Sequence, residues 1–389
     1  MNQKQSLWNK DFILICLTSL FMFTSFYFLI STLPMYVTEV LKGSESNVGY
    51  IVGVLTITAV LVRPISGYLL DTMGRKSVVV VALVAFVAVT FAYNLATSLL
   101  ILFLLRAIHG LSWGFTSTGA GTIASDIVPA ARRGEGMGYY GLAGTLAMAL
   151  GPVLSLYILD KYGFNTLFTT GSIIAALALL CVLGIKGFES NIDKKKTKIS
   201  LNSFLEPRVY SLSVVLFFVN LTYGGIVSFI TLYAKELNIA NAGIFFMVYG
   251  VSLLFVRPYA GKVFDKRGPN QIMFIGFLAL AISFLVLFLA KGYLMFILSA
   301  IILGIGFGIV QPTLQAMAIN RVEPFRRGAA NGTIFTALDL GIGIGSISLG
   351  LVSNTLGLSY MYLICAFVVI IPMLVFFWKD AKKPSTQMG

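Results

Sequence analysis

Residues able to move a proton, hold an ion or attack a substrate are scarce in this chain of 389 residues, and most sit at the edges of long apolar blocks. There is one histidine, His109, and three cysteines, Cys16, Cys181 and Cys365, all inside apolar blocks with no pair at metal-ligand spacing. These counts argue against a zinc or haem site. No glycine-rich loop followed by Lys and Ser/Thr is present to cradle a nucleotide phosphate. No nucleophile, base and orienting group can be located together, so no catalytic residue, cofactor or metal is expected and the chain does not read as an enzyme. Of the 15 carboxylates, all but Asp339 fall in loops or at block ends. Three cations, Arg63, Arg106 and Arg257, also lie inside blocks.

What must position these groups is a membrane. The composition is 58% hydrophobic and 11% charged, against roughly a quarter charged in ordinary globular chains, and a bilayer span needs about 20 apolar residues. Apolar blocks recur at 12–36, 48–70, 77–96, 98–121, 134–158 and 166–187, then at 209–234, 241–264, 271–290, 293–318, 328–352 and 358–378. The expectation is an all-α integral membrane protein of 12 transmembrane helices. The first block, at about 25 residues, is too long for a signal-peptide core and reads as span one. Six spans fall on each side of a polar stretch, giving a six-helix bundle over 1–188, a linker over 189–207 and a second bundle over 208–389.

A net charge of +13 would suggest nucleic acid in a soluble chain. Here 21 of the 28 Lys and Arg residues lie at the termini and in even-numbered loops, and only Lys42, Lys161, Lys235 and Lys291 lie in the others. Cytoplasmic loops carry that excess, so both termini are expected in the cytoplasm and the charge is a topology label, with no nucleic acid as partner. The linker lysines Lys194, Lys195, Lys196 and Lys198 read as a solvated segment, with contact to anionic membrane lipids as the alternative.

Depth then ranks the buried charges. Arg106 lies about 12 Å into span four, and His109, Trp113 and Ser117 follow at i+3, i+7 and i+11 on the same face. A mid-membrane arginine is a functional candidate by default, although bonding to backbone carbonyls would also satisfy it. Asp339 lies about 16 Å into span eleven, where a carboxyl can serve as a reversible proton carrier, make a structural hydrogen bond or recognise a cation. Polar stripes at Thr24, Tyr27 and Ser31, at Asn220 and Tyr223, and at Gln311 and Gln315 are candidate cavity linings, with Phe23, Phe26, Phe28, Phe217 and Phe218 as an adaptable apolar wall.

Placing residue n against n + 194 aligns Val62, Arg63, Pro64, Gly67, Asp71 and Gly74 with Val256, Arg257, Pro258, Gly261, Asp265 and Gly268. The same offset pairs Gly110 and Gly114 with Gly304 and Gly308, and Arg132, Arg133, Gly134 and Gly138 with Arg326, Arg327, Gly328 and Gly332. Six spans is an even number, so the halves are expected to be related by a pseudo-two-fold along the membrane normal, as in alternating-access carriers.

Gly67, Asp71, Gly74, Arg75 and Lys76 between spans two and three resemble the loop signature of the major facilitator superfamily, repeated in part at Gly261, Asp265 and Gly268. Arg106 with Gly110 resembles that family's second motif, and Gly151 with Pro152 resembles part of the antiporter motif of its exporters, with Ala147, Ser155 and Leu156 where glycines are usual. The resemblance implies that spans one, four, seven and ten line a central cavity, so the Arg106 stripe would face substrate or water. It also implies that Asp71, Arg75 and Asp126 form a charge cluster latching the cytoplasmic side. Pro269 and Asn320 stand at the positions equivalent to Arg75 and Asp126, so the second copy cannot form the same cluster. The expected function is proton-coupled export of small amphipathic compounds by a monomer in the cytoplasmic membrane. Asp339, Arg106 and His109 are the proton-coupling candidates, and Gly151 and Pro152 pack helices. The alternative is a carrier for a polar or anionic metabolite, including a metal-chelating one, gripped by Arg106 and His109.

Overall fold

The computed structural model describes residues 7–186, 204–239 and 242–381, so the linker lysines lie outside the described residues. Among the described residues the secondary structure is helical, with no strand. Among the described residues, eleven helical segments are long and apolar enough to cross a bilayer. Twelve blocks become eleven segments because the expected spans five and six run together in one stretch, Arg133–Leu183, interrupted at Gly163, whose φ of 77° is non-helical. The last apolar block forms two consecutive helices, Leu358–Val368 and Ile370–Lys379.

The helix ends follow from capping chemistry. Asn9 accepts the Phe12 N–H at 2.8 Å to open the first helix. Ser44 and Asn47 form a capping box at the start of the Glu45–Thr72 helix, and Ser98 caps Leu99–Ile127. Gly74 and Gly268 occupy equivalent corners, each joining two helices with φ of 98° and 74° respectively, a region that side-chain-bearing residues seldom enter. Only 22% to 56% of each span's most apolar stretch is buried within the protein, and residues such as Leu294, Phe255 and Trp378 face outward. So much exposed apolar surface needs lipid around it.

Packing separates the chain into two units that do not follow the sequence strictly. The first comprises Met1–Val128, Ala143–Leu205 and Pro324–Gly332; the second comprises Pro129–Leu142, Glu206–Glu323 and Thr333–Gly389. Part of the first unit's core is Phe28, Leu29, Leu33, Tyr93, Leu102 and Phe168. A core of the second includes Ala260, Ile272 and Ile309.

The 194-residue offset reappears in the packing inside each unit. A Cβ on Gly110 would lie 2.3 Å from the Leu55 carbonyl, and one on Gly304 would lie 2.9 Å from the Tyr249 carbonyl, the equivalent position. Likewise Gly114 abuts Val62, and Gly308 abuts Val256. Small residues there let two helices approach to backbone distance.

Candidate functional site

Asp71 sits near the end of the Glu45–Thr72 helix, buried, and accepts backbone N–H bonds from Gly328 and Ala329 at 2.8 Å each. Those donors belong to the first turn of the Arg327–Leu356 helix, whose leading N–H groups have no partner within the helix and whose dipole favours an anion. Arg75, one turn beyond Asp71, reaches Asp71 at 3.4 Å and Asp126 at 2.9 Å, and also donates to the Pro324 carbonyl. Arg327 meets the other oxygen of Asp126 at 2.5 Å. The four formal charges cancel, which makes their shared burial tolerable. Asn331 donates to Thr122 at 3.2 Å alongside. Glycine is required at both crossing points: a Cβ on Gly67 would lie 2.6 Å from the Gly328 carbonyl, and one on Gly328 would lie 2.5 Å from that of Gly67.

The second copy keeps half of this. Asp265 accepts from the Gly134 and Glu135 N–H groups at 2.8 and 2.9 Å, at the start of the Arg133–Leu183 segment. Gly261 crosses Gly134 as closely as Gly67 crosses Gly328. Arg133, equivalent to Arg327, donates to Asn320 at 2.5 Å, so a neutral amide stands where the first copy has Asp126. Glu135 pairs with Arg132 at 2.6 Å and lies 3.6 Å from Lys262. The helix cap is therefore repeated while the ionic network is not.

Arg106 is 1% exposed and donates through Nε to the Ile51 carbonyl at 3.1 Å. Its guanidinium lies beside the Tyr93 hydroxyl, which is 2.9 Å from His109 Nδ1. His109 is fully buried, with Phe86 edge-on at 4.7 Å between ring centres and Phe26 stacked on Trp113 at 4.0 Å. Of the stripe expected to face substrate or water, Arg106 and His109 are enclosed in this structure, and Trp113 and Ser117 are almost so. The cause is the glycine seam at Gly110 and Gly114, which draws the Leu99–Ile127 helix onto Glu45–Thr72, while Phe26 and Phe86 close over the remaining face. Tyr93 escaped the sequence reading because it is one of 17 tyrosines and lies in a single turn, Tyr93–Leu95, with no motif around it.

Other candidates divide similarly. Ser31 and Asn220 donate to carbonyls of their own helices, at Tyr27 and Leu216, which spends their polarity locally. Ser117 donates to the Trp113 carbonyl and receives Arg63 at 3.1 Å. Gln311 accepts from Arg257 at 3.1 Å, Gln315 is half-buried, and Tyr223 packs against Phe307 and Tyr249. Gly151 makes room for Tyr27, whose Cβ would lie 2.6 Å from a Cβ there, and Pro152 is inside the helix. Asp339 is half-buried in the Arg327–Leu356 helix, and Gly341 and Gly345 press that helix onto the backbone at Phe217 and Leu221. Among the described residues no group of three or more His, Cys, Asp or Glu side chains is placed to hold a metal.

The Major Facilitator Superfamily family model matches residues 15–346 and, in a second match, 212–388. This chain belongs to that superfamily. Its superfamily relatives include the Staphylopine export protein of Staphylococcus aureus, 25% identical with 90% of this chain and 91% of that protein covered. They also include Multidrug resistance protein MdtG of Escherichia fergusonii, 26% identical with 97% and 95% covered, and an uncharacterised MFS-type transporter of Methanocaldococcus jannaschii, 26% identical with 83% and 86% covered. The superfamily fold is matched by the human organic anion transporter MFSD10 (TETRAN), with a TM-score of 0.79, 16% identity and coverage of 94% of this chain and 98% of that one. The proton:xylose symporter XylE matches with a TM-score of 0.76, 16% identity and 95% coverage of each chain. As a superfamily member the chain is a multi-pass membrane transporter, and its relatives are transporters rather than enzymes.

Proposed function

We propose that this transporter exports small amphipathic compounds in exchange for protons. The observation that carries the reading is Asp339, a carboxyl about 18 Å into its helix, counted from Arg327, and half-buried where two glycines fix the helix against its neighbour. Taking up a proton removes the charge that opposes movement of this segment through apolar surroundings, and releasing it restores that charge. Export as the direction is supported by the two relatives named for export and multidrug resistance. In this reading the break at Gly163 divides its segment into two spans, making twelve, with halves related by an axis along the membrane normal and both termini in the cytoplasm. The Asp71 and Asp265 caps, with Arg75, Asp126 and Arg327, act as the cytoplasmic latch of the outward-open state. Tyr27, Tyr223, Gln311 and Gln315 line the substrate path in a monomer of the cytoplasmic membrane.

The test is accumulation of a fluorescent lipophilic cation in cells stripped of their own exporters. Cells expressing the chain accumulate less, and a protonophore erases the difference. Equal accumulation with and without expression across a broad compound panel overturns export.

A second reading, a carrier for a polar or anionic metabolite, is favoured by the relative that exports one named compound. Its cation is then Arg257, half-buried and bonded to Gln311, because Arg106 is sealed.

A further inference from the structure

Arg106 and His109 share one helix face, but neither bonds the other in the observed geometry; what joins them is a residue from outside that helix. Tyr93, fully buried, places its hydroxyl 2.9 Å from His109 Nδ1, with the Arg106 guanidinium beside it. A guanidinium has donors only, so the tyrosine oxygen turns its lone pairs toward Arg106 and its O–H toward the imidazole. Nδ1 then accepts, and the ring proton of a neutral imidazole must sit on Nε2. Nε2 is buried without a hydrogen-bond partner among the described residues.

The surroundings agree with that assignment. Arg106 from the same helix and Tyr93 from the turn after the third span are the charged and titratable groups brought to the ring. The first span contributes Phe26, the third contributes Phe86 and the fourth contributes Trp113. The Phe86 and His109 planes meet at 78°, a geometry in which a ring N–H can be accommodated against an aromatic neighbour. A second positive charge on His109 would stand against Arg106 in a site where both side chains are buried from solvent.

We propose that Tyr93 is a positioning residue that fixes His109 as its neutral Nε2–H tautomer, so that His109 anchors the Tyr93 hydroxyl beside Arg106 and takes no part in carrying protons. The last clause rests on the proposed proton coupling; the tautomer does not.

His109 is the one histidine in the chain, so isotopically labelled histidine in the purified full-length protein gives a nitrogen NMR spectrum of that residue alone. The expected spectrum has Nδ1 as acceptor and Nε2 protonated, unchanged between about pH 5.5 and pH 8, the range in which an ordinary histidine titrates. Tyr93→Phe loses this single-tautomer signature. An imidazolium or an Nδ1–H form in the unmodified protein within that range overturns the assignment, and that spectrum decides even where Tyr93→Phe fails to fold. In transport, His109→Asn keeps an acceptor oxygen near Nδ1 and is expected to leave the shape of the pH profile unchanged; loss of one limb overturns the exclusion of His109 from the proton path. Transport indifferent to the proton gradient alongside the expected spectrum sinks the proposed coupling and upholds the tautomer.

Discussion

Asp71 and Asp265, 194 positions apart, make the same pair of bonds: each carboxylate takes one backbone N–H on each oxygen, from Gly328 and Ala329 in one case and from Gly134 and Glu135 in the other. The donors are themselves 194 positions apart. Around this shared cap the two copies diverge, since only Asp71 has an arginine one turn away that also holds a second carboxylate. Two aspartates of equal backbone role therefore carry unequal ionic load.

That inequality has a measurable consequence. Asp71→Asn leaves Arg75 and Arg327 sharing one carboxylate and is expected to cost about 3 kcal/mol, whereas Asp265→Asn loses mainly charge assistance at a helix start and costs about 1 kcal/mol. Thermal unfolding in detergent should show the larger drop for Asp71→Asn. Equal drops would mean that the ionic network adds nothing to the cap.

Glycine crossings give a second contrast. Gly67→Ala and Gly261→Ala each force a methyl against a backbone carbonyl at 2.6 and 2.2 Å, with no flexible side chain to yield. Overpacking of this kind costs about 1–3 kcal/mol, so both variants should lose stability and transport. Gly343→Ala meets no atom within 4 Å and is expected to be neutral or slightly stabilising. Loss of transport in Gly343→Ala with retention in Gly67→Ala would reverse the account.

A buried and a surface ion pair should separate in the same way. Asp380 is fully buried, 2.6 Å from Arg321 and 2.7 Å from the Ser211 hydroxyl. Asp380→Ala leaves a guanidinium without its anion and is expected to cost about 3–5 kcal/mol. Glu323→Gln, at the exposed pair with Arg208, should change stability by less than about 1 kcal/mol. Comparable melting shifts for the two would contradict the packing described.

The all-helical, membrane-spanning fold is legible in the sequence because a bilayer imposes block length, and the 194-residue offset is visible from glycines and charges alone. The Asp71, Arg75 and Asp126 grouping is also legible, through the loop signature it resembles. Arg327 is not, since its partner Asp126 is 201 positions away and belongs to a different helix. Helical spacing places Arg106, His109, Trp113 and Ser117 on one face, yet it does not say what covers that face. The glycines at 110 and 114 decide it by bringing another helix to backbone contact. Ser31 and Asn220 look available in a stripe until their own helices are seen to absorb them. Asp339 is singled out as a candidate by elimination, being the one carboxyl of 15 deep inside an apolar block.

Coupling through Asp339 is decided by substrate uptake into inverted membrane vesicles under an imposed, interior-acid pH gradient, comparing the unmodified chain with Asp339→Asn at equal protein. The unmodified chain is expected to accumulate substrate until the gradient is dissipated, and Asp339→Asn to show no gradient-driven accumulation. Accumulation indifferent both to the gradient and to the loss of the Asp339 charge would contradict that coupling.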